Sequence, residues 1–202
     1  MKKTLWVITV ATSLLVSAPL LARTWYVDAS VSASGDGTSW ATAFRKIQEG
    51  IDAASDGDTV IVAQGTYLEN VEFRGKNIIL RSTDPFDPSV VASAIIDGNK
   101  AGSVVTFSGT EDESCVLAGF TIRNGEAHAG GGIRGGTYEQ HCRATIENNV
   151  VTENTATYFG GLCYCDGKIS SNTILRNSAE EGGGLCLCDG VIENNIVEAN
   201  VA

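Results

Sequence analysis

Three stretches decide the fold: ATIENNVVTENTA at residues 144–156, GKISSNTILRNSA at 167–179 and GVIENNIVEANVA at 190–202, each displaced from the last by 23 residues. In each, an isoleucine (Ile146, Ile169, Ile192) is followed three positions on by an asparagine (Asn149, Asn172, Asn195). An aliphatic residue comes two further (Val151, Ile174, Val197), and then a second asparagine (Asn154, Asn177, Asn200). A fixed period that keeps aliphatic and amide residues in register means identical units, each burying its apolar face against its neighbours. The two asparagine columns read as ladders at two corners, each amide donating to the next, because stacked amides satisfy polar groups that the stacking buries.

Working back from the repeats, short β-rich runs alternate with glycine, asparagine and aspartate: 59–62, 71–73, 77–80, 94–96, 104–107 and 116–122. Strands this short, with tight turns between them and a 23-residue period, predict three strands and three corners per turn of an all-β solenoid whose coils stack in parallel about 4.8 Å apart. Asp84-Pro85-Phe86-Asp87-Pro88 and Asp97-Gly98-Asn99 read as turns. Only one segment has helical spacing. From Ala41 to Ala54, Phe44, Ile47 and Ile51 recur at three and four residues, an amphipathic helix expected to cap the exposed first coil. No polar or helical segment follows Ala202, so a longer parent chain, or a partner on the last coil, is the expectation.

The first 22 residues stand apart. Lys2 and Lys3, an apolar run from Leu5 to Val16, then Pro19 and Ala22 before Arg23, form the layout of a secretory signal peptide, giving a mature chain of one domain over 23–202. An uncleaved anchor helix is the competing reading. The chain carries 14 basic and 24 acidic residues, a formal charge of −10. Losing Lys2 and Lys3 makes the imbalance greater. Phosphate backbones are repelled, so nucleic acid is excluded as a partner; neutral or cationic ligands, or calcium, fit better. The expected location is secreted, periplasmic or cell-surface, not membrane-embedded once processed.

Export permits disulfides among the six cysteines. Cys142, Cys165 and Cys188 share the 23-residue spacing, as do Cys163 and Cys186. Strand alternation in Leu162-Cys163-Tyr164-Cys165 and Leu185-Cys186-Leu187-Cys188 predicts four thiols in an outward grid. A stacked thiol ladder, one or two disulfides, and a metal site all remain open; Cys115 has no partner that spacing assigns.

Trp25-Tyr26-Val27-Asp28, the glycine-rich run Gly35 to Ala41, Gly57-Asp58-Thr59-Val60 and Gly65-Thr66-Tyr67 resemble the N-terminal part of secreted bacterial right-handed parallel β-helix repeat proteins of the pectin-lyase-like group. Gly182-Gly183-Gly184-Leu185, Cys188-Asp189-Gly190 and Glu193-Asn194-Asn195 resemble their coils. The likeness covers nearly the whole mature chain. It implies a fold, not a reaction, because this architecture hosts lyases, hydrolases, epimerases, adhesins and binding modules. Catalysis in the group, where present, implies either calcium held by clustered carboxylates beside a basic arginine or lysine, or a set of aspartates as acid and base; neither set is visible.

The one coil that departs from the period runs 29 residues from Ile133 to Leu162, so about six residues within Gly135 to Gln140 should bulge outward, where binding concentrates. Arg134, Tyr138, His141 and His128 lie in or beside this coil. Asp166 and Asp189 stack, each in an Asp-Gly turn. Arg134, Tyr138, His141, Asp166 and Asp189 are the candidate binding residues. The reading is a rigid scaffold or a surface that binds polysaccharide or a cell-surface component, without a cofactor unless calcium; the alternative is a polysaccharide lyase or glycoside hydrolase.

Overall fold

The computed structural model describes residues 21–202. The expected leader, apart from its last two residues, lies outside the described residues. The rest is a parallel β-helix, in which every strand pairing is parallel.

Three sheets run the length of the stack. The first holds Thr24–Val27, Thr59–Val62, Ile79–Ser82, Val116–Ala118, Thr145–Glu147, Ile169–Ser170 and Ile192–Glu193. The second holds Gly65–Leu68, Ala94–Asp97, Thr121–Arg123, Val150–Thr152, Thr173–Leu175 and Ile196–Glu198. The third, with two-residue strands, holds Val71–Glu72, Val105–Thr106, Ile133–Arg134, Leu162–Cys163 and Leu185–Cys186. Registers match the repeat: Ile146 lies on Ile169 and Ile169 on Ile192, and Val151 on Ile174 and Ile174 on Val197. Inward side chains form one core, with Phe73 and Phe107 stacked at 4.4 Å between ring centres.

The corner between the first and second sheets explains how the repeats turn. Asn148, Ser171 and Asn194 take left-handed backbone (φ 55°, 56° and 57°), and each is followed by a ladder asparagine. Asn149 Nδ2 donates to Asn172 Oδ1 at 3.1 Å, and Asn172 Nδ2 to Asn195 Oδ1 at 3.1 Å. Beyond the second sheet, Glu153, Arg176 and Ala199 are left-handed in the same way, and Asn154, Asn177 and Asn200 link at 3.0 Å per step. Each amide also closes backbone: Asn172 Oδ1 accepts from Asn149 N, and Asn172 Nδ2 donates to the Ile146 carbonyl. Asn149, Asn154, Asn172 and Asn177 are at most 1% exposed, so these bonds meet polar demand that no solvent can meet.

Several local expectations are corrected. The helix foreseen over Ala41 to Ala54 is an α-helix only from Ile47 to Ala53, preceded by a 3-10 turn at Trp40–Thr42. Between them Phe44 is extended and bridges Val27, exchanging bonds with Tyr26 and Asp28, so pairing to the edge strand overrides helical periodicity. The helix still covers the first coil: Ile47 and Ile51 are fully buried, and a Cβ at Gly50 would lie 2.8 Å from Val60 Cγ1 and 3.0 Å from Val27 Cγ2. The helix start is held from outside, since Glu69 accepts from the backbone of Ile47 and Gln48. A second helix, Pro88–Ser93, replaces part of the turn read at 84–88; Asp87 accepts from Ser89 N at its start and proline occupies the first turn, where its missing N–H costs nothing. The single strand expected over 116–122 is two strands around Gly119, whose φ of 84° makes the corner.

Candidate functional site

The third sheet presents its outward side chains to a groove. Because Val71, Val105, Ile133, Leu162 and Leu185 point inward, the register sets Glu72, Thr106, Arg134, Cys163 and Cys186 in one outward column. Two adjoining hollows open over it. One, of 310 Å³, is lined by Glu72, Arg74, Thr106, Ser108, Arg134 and Thr137 among others. The other, of 340 Å³, shares Glu72, Thr106 and Arg134 and adds Asn70, Ser103 and His128.

Two excursions from the coil wall this groove. On one side the six-residue surplus forms a small hairpin, with Gly136 bridged antiparallel to His141 and with Thr137 and Gln140 exchanging backbone bonds across the tip. On the other side a short extra sheet, Glu126–Ala129 beside Thr155–Tyr158, carries His128 and Tyr158. A continuous row of rings runs on beyond the hollows: His128 to Tyr158 at 5.2 Å, Tyr158 to Phe159 at 6.1 Å, Phe159 to Tyr164 at 5.9 Å and Tyr164 to His141 at 5.1 Å. The open groove is therefore charged, at Glu72, Arg74 and Arg134, with His128 at its edge, and the column closes at the fully buried Cys163. Arg74 is tethered by Asp52 at 2.9 Å and by Glu72 at 3.5 Å, whereas Arg134 is exposed at the centre.

The five binding candidates do not converge. Arg134 lies on the groove floor. Tyr138 stands at the hairpin tip, 71% exposed. His141, Asp166 and Asp189 meet at the next corner: His141 Nδ1 lies 3.0 Å from Asp166 Oδ2, and Asp166 Oδ1 accepts from the Asp189 backbone N–H at 2.9 Å. The last contact is a turn-stacking bond, and the hollow there contains Glu113, Arg143 and Lys168 as well, with Arg143 paired to Glu113. Among the described residues no three histidine, cysteine or acidic side chains gather as a metal-ligand set.

The outward grid of four thiols does not form. Tyr164 and Leu187 are left-handed (φ 59° and 49°), so alternation breaks between the paired cysteines. Cys165 and Cys188 therefore turn into the core with Cys142, while Cys163 and Cys186 stay on the outward column. All six thiols are unpaired. Neighbouring Cys142 and Cys188, together with burial, push the Cys165 thiol well above its ordinary value, and burial does the same to Cys115 and Cys163. A protonated, enclosed thiol is neither a nucleophile nor a metal ligand. Contact with Cys165 lowers Cys188, the one thiol shifted downward.

Sequence reasoning missed Glu72, Arg74, Thr106, Ser108 and the ring row. The signal was present: Val71-Glu72-Phe73, Val105-Thr106-Phe107 and Ile133-Arg134 share an apolar-outward alternation, and aligning them would have shown the column.

Over 89 residues, 40% of this chain and 16% of the relative, the sequence is 35% identical to an Arabidopsis thaliana protein described as "Probable pectinesterase/pectinesterase inhibitor 17". The chain thus spans under a fifth of that relative's length. No family model matches the sequence, and no solved structure matches it. The partial identity and the stacked parallel sheets together make the chain similar to the pectin-lyase-like β-helix proteins.

Proposed function

We propose that the chain is an exported β-helix module that binds polysaccharide along the groove over its third sheet. The observation that carries this reading is the column Glu72, Thr106, Arg134 lying open between two walls. Sugars offer hydroxyls to forked donors and acceptors and apolar faces to rings; this groove supplies the polar groups along one line, with the His128 ring at its edge.

Charge narrows the ligand. A chain of formal charge −10 repels a dense polyanion at long range, while screening over about 8 Å leaves Arg134 to act locally. A neutral or partly esterified uronate polymer satisfies both conditions, and the similarity to a pectinesterase directs the choice toward pectin-type chains. The same similarity and the leader-like first 22 residues support an extracellular location. Among the described residues no helix is long and apolar enough to cross a membrane.

The test is a binding titration against esterified pectin, de-esterified pectin and a neutral glucan, repeated with Arg134→Ala. The expected result is strongest binding to the esterified chain and a loss of about tenfold to a hundredfold in the variant, the range for removing a charged hydrogen-bond donor. Equal affinity of wild type and variant would sink the groove as the binding site.

A second reading, polysaccharide lyase or glycoside hydrolase, has one observation in its favour: Glu72 and Arg134 share the groove floor, two coils apart. Hydrolysis by paired carboxylates needs two acidic groups within roughly 5–10 Å, and among the described residues Glu72 is the one carboxylate lining the two hollows. Release of unsaturated products or reducing ends, abolished by Glu72→Gln, would favour the enzyme over the binding module.

A further inference from the structure

We infer that the Ala22–Arg23 peptide bond is a processing site, and that the amino group released there is received by Asp58 as an ion pair that locks the first strand onto the solenoid. This rests on the export reading above and is independent of what the groove binds.

Arg23 is where the fold takes hold of the chain. Its backbone N–H donates to Asp58 Oδ1 at 2.7 Å, and its carbonyl accepts from the Thr59 N–H at 2.8 Å. The first strand begins one residue later, at Thr24. Immediately before it Leu21 is 84% exposed and Ala22 is exposed, so the bond between Ala22 and Arg23 is open to an endopeptidase that selects a small residue before the cut.

Asp58 is an unusual acceptor. It is 3% exposed, yet among the described residues no lysine or arginine side chain forms an ion pair with it. Its remaining partners are neutral donors, Trp25 Nε1 at 3.0 Å and Ser55 N at 3.0 Å. Burial alone would raise its pKa; the hydrogen bonds from Ser55, Arg23 and Trp25, with the nearby Arg23 charge, outweigh burial and hold it below the ordinary carboxylate range, so it is ionised. The Arg23 guanidinium acts on this enclosed carboxylate only from beyond ion-pair distance, so its direct partners are neutral donors, a costly arrangement that a cation in contact would relieve.

Hydrolysis supplies a cation in direct contact. The bond from the Ala22 carbonyl carbon to the Arg23 nitrogen breaks, water gives its oxygen to the new Ala22 carboxylate, and both water hydrogens end on nitrogen, giving an α-ammonium. That group replaces the amide N–H already pointing at Asp58, converting a neutral donor into a charged one at the same place. A cut one residue earlier or later would put the charge out of reach, so the pair reports whether the leader was removed at the right bond.

The experiment compares three chains ending at Ala202: one beginning at Arg23, one beginning at Ala22, and the Arg23 chain with Asp58→Asn, each released from a fusion by a protease that leaves no extra residue. Urea unfolding gives the equilibrium constant; competition labelling with an amine-reactive ester gives α-amine reactivity. The Arg23 chain is expected to unfold with a constant about tenfold or more smaller than the Ala22 chain, the equivalent of one pKa unit of coupling, and to label more slowly. Asp58→Asn should restore fast labelling. Equal stability and equal labelling of the Arg23 and Ala22 chains would overturn the pair even if Asp58→Asn fails to fold. Separately, the intact mass of protein exported from residue 1 by a secreting bacterial host should begin at Arg23; a start at any other residue overturns the processing site, while groove binding by the Arg23 chain is unaffected by either result.

Discussion

The two halves of the solenoid obey different rules of length. From Thr145 onward, Ile146, Ile169 and Ile192 lie on one another with 23 residues per coil, and both asparagine ladders run unbroken. Before it, Thr24 lies on Thr59, Thr59 on Ile79, and Ile79 on Val116, coils of 35, 20 and 37 residues. The irregular half places the cap in its 35-residue coil and the Pro88–Ser93 helix in its 37-residue coil, while Glu72, on the groove floor, lies in the short 20-residue coil. Regularity marks where the molecule holds itself together, and departures mark where it meets something else.

The sharpest way to break this contrast is to remove a ladder rung. Asn177 is fully buried, accepts from Asn154 N and Nδ2, and donates to the Val151 carbonyl and to Asn200. Asn177→Ala strands several buried groups and should cost about 3 kcal/mol or more by urea denaturation. Asn70→Ala in the irregular half removes one bond, to the Ser103 carbonyl, and should cost about 1 kcal/mol. Equal costs would erase the distinction.

The cap comes next. Gly50→Val drives a side chain into Val60 and Val27 and should destabilise by about 1–3 kcal/mol. Hydrogen exchange should speed up around the first coil and leave the Asn149 and Asn154 backbone amides protected. Arg134→Ala, by contrast, should leave unfolding within about 0.5 kcal/mol of wild type while weakening polysaccharide binding, because an exposed arginine on the groove floor holds no element in place.

The smallest effect is in acid. Hydrogen bonds from Thr42, and then from Thr38, lower Asp36 to about 2. With its folded pKa depressed, Asp36 contributes stability that is fully present above about pH 3.8 and lost as pH falls through about 2. Asp36→Asn should flatten that part of the acid-unfolding curve and leave neutral stability little changed, since the side chain is exposed.

What the sequence made legible follows the same division. Identical spacing of Ile146, Asn149, Val151 and Asn154 in three copies was enough to predict stacked coils, the two amide columns and the outward excursion at 135–140. The rest depended on contacts that no local pattern carries. Phe44 left the helix because the Tyr26 backbone claimed it. Cys165 turned inward because one residue, Tyr164, adopts left-handed backbone, which alternation cannot foresee in a non-glycine position. The groove column was legible only by aligning Val71-Glu72-Phe73 and Val105-Thr106-Phe107, which lie outside the repeat, with Ile133-Arg134.

The spacing of the two ladders sets a rule for grafting. Asn149 and Asn154 clamp both ends of a five-residue span to the coils on either side. Foreign sequence placed between them would pull two rows of amides out of step. Sequence placed at the hairpin tip, between Thr137 and Gln140, meets no rung. The six surplus residues there leave the register of Ile133 on Leu162 intact. The hairpin tip is therefore a cassette holder on the groove side of the rod, just as the Pro88–Ser93 helix is extra chain held at the corner between the first and second sheets.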